Sequence, residues 1–185
     1  MAKQTKRRLI AAFQEVLQQK PLDKINIVDI TDVCKVNRMT FYYHFHDLDE
    51  LIDTSFNLLR DTAFADYKRT DPLPVSLSPL IREMENQKAY LLRLFEELDH
   101  KILVVHFLDI LQTPVRDYVE NCSMGAHLPQ DHFLKIGCFY VSALVGILMH
   151  WLQFNMQESA ETVSTDLTFM LEGNCELMIQ KFGEV

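Results

Sequence analysis

An all-α fold follows from three features of this chain. Apolar residues recur at three- and four-residue intervals along most of its length, the spacing of one helix face. Asn, Asp and Ser stand just ahead of several of these runs, where their side chains can accept from the free N–H groups of a helix start. Gly (5) and Pro (6) are scarce among the 185 residues, and no segment keeps the two-residue period of a strand. At 48% hydrophobic and 24% charged, the chain can form a core and is not a disordered tail.

Leu9, Ile10, Phe13, Val16 and Leu17 share one face of a first helix over about residues 3–19. Lys20-Pro21 ends it, because proline constrains the residue before it and cannot donate a backbone hydrogen bond. Asn26 and Asp29 make a cap pair for a short second helix at 27–34, on which Ile27, Ile30 and Val33 point one way. Lys35-Val36 forms a tight turn, and Asn37 caps a third helix at 38–44. Asp47 with Glu50 opens a long helix over 47–69 that connects the two parts of the chain.

Thr70 to Pro74 is the clearest linker, and beyond it the pattern predicts helices at 77–98, 102–112, 115–124, 130–157 and 160–182. Thr113-Pro114 and Gly125 to Pro129 supply the breaks, and Ser159 a cap. Residues 1–47 thus form one domain and 48–185 a larger one. The nearly uncharged run Ile136 to Leu152 approaches the length that spans a bilayer. Ser142 and His150 interrupt it and no basic cluster sits beside it, so no membrane partner is expected. Gly137, Ala143 and Gly146 would let a second backbone come close, which suits a buried helix at a dimer core.

The net charge of -8 hides an asymmetry. Residues 1–46 carry eight Lys and Arg against four Asp and Glu, a net of +4, so the remainder of the chain carries -12. Basic side chains gain from releasing the counterions of a polyanion, and an acidic body keeps the rest of the molecule off it. Cys34, Cys122, Cys138 and Cys175 are scattered without a CxxC pair, as expected of a reduced, cytoplasmic protein.

A two-turn helix, a turn of three or four residues and a second short helix is the spacing of a helix-turn-helix, whose second helix enters the DNA major groove. Asn37, Arg38 and Thr40 stand at the start of that helix, and Tyr42, Tyr43 and His44 carry donors at the tips of apolar bodies. The Arg38 fork matches the O6 and N7 edge of guanine, and Met39 suits a thymine methyl. Phe41 and Phe45 face the other way, toward a small core with Phe13, Ile30, Val33 and Leu48.

The segment Ile27 to Leu51, IVDITDVCKVNRMTFYYHFHDLDEL, resembles the DNA-binding signature of the TetR family of bacterial transcriptional regulators. The rest of the chain is similar to that family only in length and helical character. The resemblance implies a homodimer on a double-stranded, palindromic operator, contacted through Asn37, Arg38, Met39, Thr40, Tyr42, Tyr43 and His44. Lys3, Lys6, Asn26, Ile27 and Lys35 are lesser contributors. Two positions depart from the family pattern: Lys35 stands where glycine is usual in the turn, and Asp47-Leu48-Asp49-Glu50 where a lysine often faces the DNA backbone.

By the same resemblance the last two helices pair the protomers, with Gly137, Ala143, Gly146, Trp151, Met170, Asn174, Leu177 and Met178 as interface candidates. A small-molecule effector would release the repressor from its operator, with Phe95, His106, Phe107, Ile110, Tyr140, Leu144, Met149 and Met170 as the candidate pocket. NRMTFYYHFHDLDEL and WLQFNMQESAETV also look like a TetR subgroup that includes the dihydroxyacetone-operon co-activator type, some of which answer to a protein partner. A zinc-responsive alternative would draw on His100, His106, His127 and His132, but none has i, i+4 pairing, so no metal is assigned. No nucleophile elbow, P-loop or dinucleotide fingerprint is present; no cofactor and no enzyme activity are expected. A helical ligand carrier without DNA affinity is the alternative from another class.

Overall fold

The computed structural model describes residues 2–124 and 129–183. Among the described residues every regular element is helical. The N-terminal module comprises α1 (Ala2–Leu17), α2 (Ile27–Cys34) and α3 (Arg38–His44), with a single 3-10 turn at Leu22–Lys24, and α4 (Leu48–Ala63) leads out of it. The body comprises α5 (Leu73–Asn86), α6 (Lys88–Glu97), α7 (His100–Cys122), α8 (Gln130–Gln153), α9 (Ala160–Leu171) and α10 (Asn174–Gly183).

The helix starts that the sequence marks by side-chain caps are made as expected. Asn26 Oδ1 accepts from Val28 N–H (2.9 Å) and Asp29 N–H (3.2 Å), while Asp29 Oδ2 accepts from Asn26 N–H (3.0 Å). Asp47 Oδ1 accepts from Glu50 N–H at 2.9 Å, and Glu50 returns the bond by accepting from His46 N–H at 2.6 Å.

The body differs from expectation wherever packing, not local chemistry, decides an end. The long connecting helix stops at Ala63 instead of 69, and beyond it Tyr67 donates to the buried carboxylate of Asp117 on α7 at 3.0 Å. That carboxylate also faces Arg116 and Arg69, and burial followed by the Asp117 hydrogen bond pushes the Tyr67 hydroxyl up to about 12. Leu73 and Pro74, expected as linker, form the first turn of α5, where a proline loses no hydrogen bond. The helix expected over 77–98 is two, parted at Gln87, and the one expected over 160–182 is parted at Gly173, whose φ of 72° is left-handed.

The break expected at Thr113-Pro114 is not one: α7 runs through both. A proline inside a helix forfeits one backbone bond and costs about 3 kcal/mol. Here Leu111, Pro114 and Val115 are all buried, and their packing outweighs that loss. The break at Gly125 to Pro129 lies, apart from Pro129, outside the described residues. The expected end of α8 at 157 moves to Gln153, after which Asn155 and Met156 turn left-handed and Met156 N–H reaches Trp151 C=O at 2.8 Å.

One core runs from the head through the body. Phe13 meets Tyr90 of α6 edge to face at 6.1 Å, and the Tyr90 hydroxyl hydrogen-bonds Ser55 of α4 at 2.7 Å. Arg93 of α6 donates to the last carbonyl of α1, Leu17 C=O, at 3.2 Å and is held by Glu96 and Glu97. The head is therefore clamped to α4 and α6.

Candidate nucleic-acid interface

The scaffold of the interface is the underside of α3. Phe41 and Phe45 are buried and tilt against each other at 5.5 Å, in one core with Phe13, Ile30 and Leu51. With those two positions facing inward, helical spacing turns Met39 and Tyr43 to the opposite side and Tyr42 to the edge, while Arg38 stands free in the first turn. All four are exposed, Tyr43 at 79% and Met39 at 73%, far above what aromatic and thioether side chains show when packing alone places them.

The turn has the geometry of a left-handed helix cap without the usual residue for it. Lys35 sits at φ 56° and ψ 50°, and Val36 N–H closes back on Thr31 C=O at 3.0 Å. An L-residue in this conformation costs about 1–2 kcal/mol. The exposed Lys35 ammonium gains in exchange a place beside α3. Arg8 secures the same turn from α1, donating from Nη2 to Cys34 C=O at 2.8 Å. Nothing in the local pattern marks Arg8 for this, since its partner lies 26 residues away.

Several expected contacts already have other partners. Asn37 Oδ1 accepts from Met39 N–H at 2.9 Å as the cap of α3, so its oxygen is committed. The Asn26 oxygen likewise caps α2, and Ile27 is half-buried against the core. Lys6 lies 5.0 Å from the Phe45 ring centroid in a cation–π contact, while Lys3 is exposed. Thr40 and His44 are half-buried, the His44 ring edge-on to Tyr43 at 5.0 Å. Exposed carboxylates at Asp47, Asp49 and Glu50 stand where the family pattern has a lysine and oppose a phosphate backbone.

In the body, the candidate pocket residues do not converge on an opening. Phe107, Ile110, Tyr140 and Leu144 are packed core. His106 stacks on Phe56 at 4.2 Å and pairs with Asp53 at 3.3 Å; burial, partly offset by Asp53 and Asp109, lowers its pKa. Phe95 stacks on His100 at 4.2 Å, and Met149 is half-buried. A cleft of about 1220 Å³ opens elsewhere, along α5 and α9, lined in part by Ser78, Arg82, Glu85, Tyr118, Ser164 and Glu176. A smaller hollow of about 320 Å³ between α8 and α9 includes Met170, Ala143, Gly146 and Trp151.

Of the interface candidates, Gly137 and Gly146 face open space, Ala143, Met170, Asn174 and Leu177 are exposed, and Met178 is half-buried. Trp151 belongs to the protomer's own core and donates to Glu158 C=O at 3.0 Å. Phe139 and Phe169 lie exposed on the same helices. The length and mean hydropathy of α8, 1.7 over its most apolar window, would suffice for a membrane span. Its apolar residues instead divide between the core and this outward stripe. Among the described residues no three His, Cys, Asp or Glu side chains gather to hold a metal ion, and His132 packs against Phe182. His127 lies outside the described residues.

Residues 76–173 match the TetR family model described as the transcriptional regulator C-terminal region. The fold is similar to that of the dihydroxyacetone kinase operon activator DhaS, with a TM-score of 0.78 over 94% of this chain and 97% of that one at 18% identity. It is also similar to a TetR transcriptional regulator from Streptococcus agalactiae 2603V, with a TM-score of 0.62 over 92% and 95% at 22% identity. No curated protein sequence matches the chain.

Proposed function

Because this chain belongs to the TetR family of transcriptional regulators, which bind DNA as dimers and are not enzymes, we propose that it reads a palindromic operator through the outer face of α3. The observation that carries this is the exposed set Lys35, Arg38, Met39, Tyr42 and Tyr43 on a buried Phe41–Phe45 base, within a module of net +4. Arg38 reads a base edge, and the tyrosines and Lys35 grip the backbone. The protein works in the cytoplasm as a homodimer through α8, α9 and α10, whose exposed apolar stripe a second copy covers. Two-fold pairing sets two recognition helices against two half-sites.

In the first reading the protein is a repressor, released when a small molecule shifts α4 or α6, the helices that hold the head. The packing of Phe107, Ile110, Tyr140 and Leu144 favours a second reading, in which a protein partner supplies the signal to a transcriptional activator. The name of the structural neighbour DhaS, an operon activator, agrees with it.

Selection of binding sequences from a randomised duplex pool tests the proposal. The expected result is an enriched palindrome, lost with Arg38→Ala. Recovery of unselected sequence by the purified dimer would refute sequence-specific binding by this chain alone.

A further inference from the structure

Two helices on the outward face of the body leave a gap that the protomer does not close. The hollow of about 320 Å³ lies between α8 and α9, walled by Ala143, Gly146 and Ile147 on one side and by Val163, Leu167 and Met170 on the other. The chain turns back just after Trp151, whose Nε1 donates to Glu158 C=O, so α9 returns alongside α8 and Met170 comes level with Ala143. A Cβ added at Gly146 would meet nothing within 4 Å, so no part of the same protomer fills the hollow there. Phe169, 77% exposed, stands beside Met170 but outside the lining.

The direction of these helices decides how a second copy can meet them. α8 ends on the side of the head, where Lys88 Nζ of α6 donates to Met156 C=O at 2.7 Å and α6 in turn holds α1. It begins on the far side, where Tyr140 packs on Tyr118 near the end of α7 and Tyr67, beyond α4, reaches Asp117. A dimer that sets both heads on one duplex has its two-fold axis along this head-to-body direction. Both copies of α8 and α9 then keep the same sense, and residues of like height meet. Phe169 stands at the height of the partner's Ala143 and Gly146.

Charge favours the same pairing. α9 carries Glu161 and Asp166 and no basic residue, so two copies of α9 laid face to face would set carboxylate against carboxylate. The carboxylate of α8 is Asp131, in its first turn and paired with Lys135 at 2.6 Å, and His150 lies exposed on the row of Ala143 and Gly146. α8 of one copy against α9 of the other avoids the repulsion.

We propose that Phe169 of each protomer seats in the partner's hollow between α8 and α9, over Gly146, so that two identical sockets hold the dimer in one register. The inference rests on the dimeric, DNA-reading protein proposed above and names the contact that fixes its geometry. A large side chain laid on a small one fills the gap without forcing the helices apart. A side chain added at 146 has room in the free protomer and competes for the seat in the dimer, which separates a socket from a merely apolar patch.

Sedimentation equilibrium of the full-length protein over a concentration series tests the seating, with circular dichroism to establish that each variant is folded. Gly146→Leu and Phe169→Ala are each expected to raise the dimer Kd by about tenfold or more. In Gly146→Leu/Phe169→Ala the leucine occupies the space the ring has left, and the dimer is tighter than in Gly146→Leu alone. Phe139→Ala, which removes an exposed ring from another height, gives Gly146→Leu no such rescue. A dimer unmoved by Gly146→Leu, or a double variant weaker than Gly146→Leu alone, would overturn the seating and leave dimerisation standing. A folded wild type that stays monomeric throughout the series would overturn the dimer and the seating together.

Discussion

Phe41 and Phe45 in α3 are buried, whereas Phe139 in α8 and Phe169 in α9 lie open to solvent. In the head, the apolar residues close a small core and what remains outside is a basic and aromatic face. In the body, large apolar side chains remain outside after the core is complete, along with Gly137 and Gly146, which face open space. A face of this kind on a helix as apolar as α8 is unsatisfied in the single chain. The head thus buries its apolar residues within one protomer, while the body keeps an apolar face outside, the face that the proposed dimer would cover.

The sharpest way to break this contrast is to unfinish the head. Phe41→Ala removes a fully buried ring, and large-to-small changes of that kind cost about 3–5 kcal/mol. The expected outcome, by chemical denaturation and hydrogen exchange, is an unfolded head and lost DNA binding with α7 and α8 still protected. The body is broken differently. Phe169→Asp leaves the protomer's stability within about 0.5 kcal/mol, as surface changes do, but weakens the dimer by about 2 kcal/mol or more. Sedimentation across a concentration series and a melting curve separate the two effects.

Arg38→Ala tests the reading face without touching its base. The expected loss is about 1–3 kcal/mol of discrimination at one base pair, with an unchanged melting temperature. Lys35→Gly should move two readouts in opposite directions. Stability rises by about 1 kcal/mol as the left-handed strain goes, and the log–log salt slope of DNA binding falls by about 1 as a phosphate contact is lost.

The smallest effect concerns the α4–α7 contact at His106. Its pKa is lowered in the fold, so the unfolded chain binds the proton more readily, and stability falls as pH drops through 6.5 toward the lowered folded value. His106→Phe keeps the stacking on Phe56 and loses that pH dependence, which denaturation midpoints between pH 7 and 5 would register.

What the sequence discloses divides along the same line. The head was legible because its signals are local: Asn26, Asn37 and Asp47 cap helices through backbone groups two or three residues away, and Phe41 and Phe45 share a face by spacing alone. The clamps Arg8 to Cys34 and Arg93 to Leu17 left no trace, since a carbonyl offers no side-chain pattern and the partners lie far apart in the chain. In the body, Pro114 marked a break that packing overrode, and Gly173 divided a helix whose apolar period runs on through it. Phe107, Ile110 and Tyr140 were candidates for a pocket because the residues that fill a core are the ones that line a cavity; only packing tells them apart.

On the proposed function, the outer side of α3 reads DNA while Phe41 and Phe45 only hold the helix in place. Fluorescence anisotropy across a salt series, comparing wild type with Arg38→Ala and Tyr42→Ala on selected and scrambled duplexes, tests it most directly. The expected result is tight, salt-steep binding of the selected duplex by the wild type, preference for it lost in Arg38→Ala, and affinity for both duplexes reduced in Tyr42→Ala. Equal binding of the two duplexes by all three proteins, each folded, would contradict it.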